Sequence, residues 1–214
     1  MATLRQKLAA EFGGTLLLVT AVVGSGIMGE RLSDDTGIAL LANTGATAAA
    51  LFVLISILGP VSGAHFNPVV SACMAWRGVM RPIEAGSYAM AQIAGGILGA
   101  LLAHAMFDLP LLQASTTLRS GPGQFVAEIV ATFCLLAVIL RGSRLEGVSM
   151  PTLVSLTIAS AYWFTASTSF ANPAVTIARA FTDTFAGIEP ASVPWFLAAQ
   201  AAGGALAIAI NCRD

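Results

Sequence analysis

Ser62-Gly63-Ala64-His65-Phe66-Asn67-Pro68-Val69 and Ser169-Phe170-Ala171-Asn172-Pro173-Ala174-Val175 decide the fold. Each places an Asn-Pro pair inside a long apolar block. Proline lacks an N–H and pushes the residue before it out of helical geometry. At membrane depth, such a pair marks irregular backbone turning into a new helix. Lipid does not tolerate that backbone unless protein buries it or it lines a wet cavity. Two such pairs in corresponding halves of the chain point to a wet path as the function.

The surrounding composition sets the solvent. The chain is 57% hydrophobic and 10% charged, with a mean hydropathy of +0.82. An ordinary soluble domain carries about 25% charged residues, so this is an integral membrane protein. The net charge of −1 and the lack of any basic run exclude nucleic acid as a partner. Cys73, Cys134 and Cys212 are irregularly spaced, fit no metal pattern and read as small apolar thiols. No metal or other cofactor is expected. Arg5 and Lys7 precede an apolar stretch as in a signal peptide, but residues 12–29 carry no charge and Glu11 stands at their entrance. They read as an uncleaved first span.

Charges divide the chain into blocks 12–29, 36–76, 85–107, 120–140 (interrupted by Glu128), 147–178 and 190–212. Four suit one spanning helix of about 20 residues. Blocks 36–76 and 147–178 are too long, and each holds one Asn-Pro. Each parses as a full span, near 37–57 and 149–168, followed by a re-entrant loop and a half-helix. The half-helices run from Asn67 to Arg77 and from Asn172 to Phe181. The expected fold is all-α: six transmembrane helices plus two half-helices that meet near the midplane.

The halves repeat each other. Ala10-Glu11-Phe12-Gly13-Gly14-Thr15 matches Ala127-Glu128-Ile129-Val130-Ala131-Thr132, and Gln92-Ile93-Ala94-Gly95-Gly96 matches Gln200-Ala201-Ala202-Gly203-Gly204. Residues 1–214 read as one domain of two repeats, approximately 8–106 and 124–212. Three spans per half make the repeat inverted. Arg5, Lys7, Arg77, Arg81, Arg141, Arg144 and Arg213 fall on one side, and Arg31, Arg119 and Arg179 on the other. The positive-inside rule then places both termini in the cytoplasm of a multi-pass protein of the cell (inner) membrane.

These motifs resemble the major intrinsic proteins, the aquaporins and aquaglyceroporins. The resemblance runs from Ala10-Glu11-Phe12 to Pro194-Trp195 and Gln200. It implies a right-handed six-helix bundle with an aquaporin-like inverted repeat, a pore in each subunit and a homotetramer. It makes Asn67-Pro68-Val69 and Asn172-Pro173-Ala174 the paired pore signatures. The family's constriction falls 20 residues before the first Asn, then 12 before, 3 before and 3 after the second, which here gives Thr47, Ser160, Ser169 and Val175. All four are small, and Val175 stands where the family places Arg. A bacterial branch linked to arsenical permeation is similar in lacking that arginine. Small neutral solutes (water, glycerol, arsenous acid) are the expected cargo.

Asn67 and Asn172 are expected to cap the half-helices and offer amide donors to a solute. The two helix N-termini, each roughly half a positive charge, oppose cations. Glu11 and Glu128 read either as proton-coupling groups or as acceptors for loop N–H groups, and their symmetry favours acceptors. His65 reads as a loop brace with some pore contact. Arg179, four residues after Val175, reads as a surface i,i+4 pair with Asp183, or else as a displaced positive charge in the vestibule. A passive channel is the expectation. A water-selective pore and a secondary transporter with the same inverted plan are alternatives, although no charged side chain lies within three residues of either Asn. No triad-like spacing suggests an enzyme.

Overall fold

A computed structural model describes residues 2–211, so Cys212 and Arg213 lie outside the described residues. Eight α-helices follow in order: α1 (Leu4–Leu32), α2 (Thr36–Ser62), α3 (Pro68–Trp76), α4 (Pro82–Met106), α5 (Pro122–Gly142), α6 (Met150–Phe164), α7 (Pro173–Arg179) and α8 (Val193–Asn211). A short 3₁₀ turn, Pro190–Ser192, leads into α8. No strand occurs among the described residues. Long helices surround the two short ones, α3 and α7.

Local chemistry sets the helix ends. Thr3 and Gln6 form a capping box at α1. The Asp35 carboxylate accepts from the Gly37 N–H at α2, and the Ser149 hydroxyl from the Thr152 N–H at α6. Helix α2 ends on Gly63 at φ 91°, a left-handed position that suits glycine.

Two boundaries differ from the sequence reading. Helix α2 runs on to Ser62 rather than ending near residue 57, carrying Pro60 within its last turn. Helix α6 stops at Phe164 rather than reaching 168, because backbone and hydroxyl turns of Thr165 and Ser167 take over. Its 15 residues span about 22 Å at 1.5 Å per residue. Among the described residues, five segments are long and apolar enough to cross a bilayer: α1, α2, α4, α5 and Pro190–Asn211.

Helix α1 packs on α2 and α4, and α5 packs on α6 and α8. The closest crossings use glycine. A Cβ on Gly95 would collide with the Phe12 carbonyl oxygen, and one on Gly203 with that of Ile129. Backbones touch there because no side chain intervenes. The buried core (Val19, Val22, Leu51, Leu135, Ile158 and neighbours) lines the space between the halves. Many large apolar residues point outward, among them Leu41, Ile57, Ile83, Met90 and Trp195. In a membrane, lipid is their natural solvent.

Candidate functional site

The two loops before the half-helices are held by the same arrangement. Glu11, fully buried, accepts from the N–H groups of His65 (3.0 Å) and Phe66 (2.7 Å). Glu128, also fully buried, accepts from those of Phe170 and Ala171, both at 2.9 Å. Gln92 Nε2 donates to Glu11 at 2.7 Å, and Gln200 Nε2 to Glu128 at 2.6 Å. Each glutamate therefore spends both oxygens on protein donors.

That bracing holds unusual backbone. Ala64 and Phe66 have φ of 49° and 48°, and Ser169 and Ala171 of 51° and 46°. Left-handed non-glycine residues cost about 1–3 kcal/mol each and persist only where the surroundings enforce them. Both loops place them three residues and one residue before the Asn. The N–H groups turn to the glutamates while the Phe66 and Ala171 carbonyls turn to the opposite loop.

Asn67 and Asn172 cap α3 and α7. Asn67 Oδ1 accepts from Val69 N at 3.0 Å, and Asn172 Oδ1 from Ala174 N (3.0 Å) and Val175 N (3.3 Å). Pro68 and Pro173 occupy N1, where a missing N–H does no harm. The side-chain amides then cross: Asn67 Nδ2 donates to Ala171 O and Asn172 Nδ2 to Phe66 O, each at 2.8 Å. An amide nitrogen carries two hydrogens, so one per Asn is left.

Both Asn residues line a cavity of about 410 Å³ that extends from Arg77 and Met74 at one end to Val175 and Arg179 at the other. Its long walls are mostly aliphatic, and its polar groups come from the loops and from Thr47, Tyr162 and the arginines. His65 lines it too and places Nδ1 3.1 Å from the Ser71 hydroxyl. Ser71 and Thr176, each four residues after an Asn, tie the half-helices to Gln92 and Gln200. Sequence reasoning passed over both, although their matched offset is visible in the sequence.

Thr47, Ser169 and Val175 line the cavity. Ser160 does not. It is exposed, and its hydroxyl donates to the Thr157 carbonyl of its own helix. Helix α6 turns Val154, Ile158 and Tyr162 inward instead. Spacing counted back from Asn172 misses this register because the loop after Phe164 sets the rotation of α6. Tyr162 therefore takes the place expected of Ser160, and its hydroxyl lies 3.3 Å from that of Thr47.

Of the two readings of Arg179, the surface pair with Asp183 fails. Arg179 is 2% exposed, not on the surface, and makes no ion pair with Asp183. Its Nε donates to the Ala186 carbonyl, its Cζ lies 3.5 Å from the Phe170 ring centroid, and it lines the cavity. Asp183 instead accepts from Thr116 N (2.7 Å) and Thr116 Oγ1 (2.9 Å), bonds that hold its carboxyl below the usual carboxylate range.

A family model described as Major intrinsic protein matches residues 1–165. The chain belongs to the major intrinsic protein family. It is similar to Aquaglyceroporin AqpS of Rhizobium meliloti (strain 1021): 53% identity over 207 residues, 97% of this chain and 89% of that one. It is 32% identical over 149 residues to Aquaporin Z of Photorhabdus laumondii, covering 63% of this chain and 64% of that protein. The solved aquaglyceroporin from Plasmodium falciparum shares its fold with a TM-score of 0.76 and 23% identity, over 99% of this chain and 95% of that one. As a major intrinsic protein the chain is a membrane channel of the aquaglyceroporin type. No His/Cys/Asp/Glu cluster able to hold a metal occurs among the described residues.

Proposed function

We propose that the chain is a passive, bidirectional pore for small neutral polyhydroxyl solutes, glycerol and trivalent arsenous acid among them. The observation that carries this is the lining of the cavity, in which the short apolar Val175 shares the wall with the hydroxyl-bearing Thr47 and Ser169. A desolvated hydroxyl left unpaired costs about 1–3 kcal/mol. Hydroxyls, loop carbonyls and the remaining amide hydrogens of Asn67 and Asn172 replace the solute's water, while the aliphatic walls bind little. Val175 in place of the family's arginine leaves room for a compact triol. The inverted repeat is supported by the matched Glu11 and Glu128 braces. Cytoplasmic termini, an inner-membrane location and a homotetramer belong to the same reading.

The Thr47–Tyr162 contact of 3.3 Å favours a second reading, a water-selective pore narrowed by the tyrosine. Two measurements decide. Proteoliposomes should conduct glycerol faster than empty liposomes. Cells lacking their own uptake channels should accumulate arsenous acid when they express this chain, and less with Val175→Arg. Water flux without glycerol flux establishes the narrower pore. Accumulation equal to empty-vector cells, with membrane expression confirmed, removes the arsenical.

A further inference from the structure

Two arginines stand on the same aromatic ring at one end of the cavity. Arg179 lines the cavity with its guanidinium over Phe170, and Arg119 from the α4–α5 connection places its Cζ 5.2 Å from the centroid of the same ring. Both are fixed by carbonyls: Arg179 Nε by Ala186, Arg119 Nε by Gly187 (2.8 Å), and Arg119 Nη2 by Phe185 (3.3 Å). Among the described residues neither makes an ion pair.

The carboxylates around them are engaged elsewhere. Glu128, behind the Phe170 backbone, accepts from Phe170, Ala171 and Gln200. Glu30 accepts from Phe185 N, and Asp183 from Thr116. The two terminal nitrogens of Arg179 have no hydrogen-bond partner among the described residues. Glu128 is the nearby carboxylate, but its oxygens are taken by the N–H donors just named, and among the described residues it makes no direct pair with either arginine. A buried guanidinium without a direct partner is costly, so this arrangement favours an anion.

A second, independent observation stands beside it. Ser169, next to Phe170 in the chain and 3% exposed, lines the same cavity, and its Oγ has no hydrogen-bond partner among the described residues. A buried hydroxyl without a partner is uncommon and asks for a ligand.

We propose that Arg179 and Ser169 form a binding site for one small carboxylate in the Arg179 end of the cavity, with Arg119 and Phe170 as its fixed support. The free fork of Arg179 matches the two oxygens of a carboxylate, and the Ser169 hydroxyl adds a third donor. The short side chains of Ser169 and Val175 leave space for formate or acetate. A bound carboxylate occupies the path of the neutral solutes proposed above and competes with them. The site rests on that reading only in taking the cavity as open to solutes.

The test uses the purified full-length protein in detergent at pH 7, titrated with sodium acetate against sodium chloride at matched ionic strength. Acetate should raise the thermal midpoint along a saturating curve that chloride does not reproduce. Arg179→Gln should weaken acetate by at least about tenfold, and Ser169→Ala by about fivefold. Arg119→Gln should weaken it less than Arg179→Gln does. Should Arg179→Gln not fold, Ser169→Ala carries the test, because nothing in the described protein holds that hydroxyl. Equal effects of acetate and chloride, or unchanged acetate affinity in Ser169→Ala, overturn the site. Glycerol flux with the same preparations separates the two ideas. Flux without acetate binding overturns the carboxylate site alone, and acetate binding without flux upholds it while removing the polyol pore.

Discussion

The side-chain amide of Asn67 donates to the carbonyl of Ala171, 104 residues away, at 2.8 Å. Asn172 returns the bond to Phe66 at the same distance. The two loops are thus fastened to each other at the point where their half-helices begin. Each carbonyl belongs to a residue in the left-handed region, so the crossed bonds and the glutamate braces together hold a conformation the loops would not adopt alone.

Replacing Asn172 with Leu removes the cap on α7 and leaves the Phe66 carbonyl without its donor. A buried acceptor so stranded costs about 1–3 kcal/mol, and a lost cap adds about 1 kcal/mol. Thermal unfolding in detergent should show that loss. Solute flux per folded protein should also fall steeply, and flux equal to wild type would mean the crossed bond plays no part in the path.

Glu11→Gln keeps the shape but turns one accepting oxygen into a donor that faces either the His65 or the Phe66 N–H group, since each N–H uses a different oxygen. Hydrogen bonds to a charged group contribute about 1.5–3 kcal/mol, so stability should drop by that order. Flux in the remaining folded protein should not depend on a pH gradient. A gradient-driven flux abolished by Glu11→Gln would instead make Glu11 a proton-coupling group.

Tyr162 and Thr47 line the cavity from two neighbouring helices, α6 and α2. Tyr162→Ala should admit four- and five-carbon polyols that the wild type excludes, read by liposome swelling. Thr47→Trp should restrict glycerol. Ser160→Trp, on the outer face of α6, should leave glycerol flux unchanged, and a block by that variant would restore Ser160 to the constriction.

Asp183 fastens the α4–α5 connection to the segment after α7 through Thr116. Its carboxyl is held below the ordinary aspartate value of 3.8, first by the Thr116 N–H and then by the Thr116 hydroxyl. A depressed folded value means the tether contributes fully above pH 3.8 and is lost as pH falls through the still lower folded value. Hydrogen exchange at the Thr116 amide should stay slow at pH 5 and accelerate only under stronger acid. In Asp183→Asn the protection should be weaker and should not change over that range.

The spans were legible because lipid imposes a simple condition: about 20 apolar residues, uncharged. The half-helices were legible because Asn-Pro at membrane depth has few other uses. The paired glutamates and glutamines were legible through their repetition. That the glutamates accept from loop N–H groups was legible as well. Which N–H groups, and the glutamines' bonds to the glutamates, were not, since a braced backbone N–H leaves no mark on residue identity. Ser71 and Thr176 went unread for a related reason: a hydroxyl in a half-helix is ordinary until a glutamine from another helix reaches it.

The sequence by itself determined the fold: block lengths, two helix-breaking pairs and an internal repeat admit one architecture in a bilayer. Only the tertiary structure decided which side chains face the cavity. That depends on helix rotation, and a helix turns its face by 100° for each residue gained or lost in the loop beside it. Hence Tyr162 lines the cavity while Ser160 faces away. Arg179 was settled in the same way. On paper it had an acid four residues away, but packing buried it over Phe170, and Thr116 took the acid. Local spacing sets which pairs are near in sequence; packing sets which of them meet.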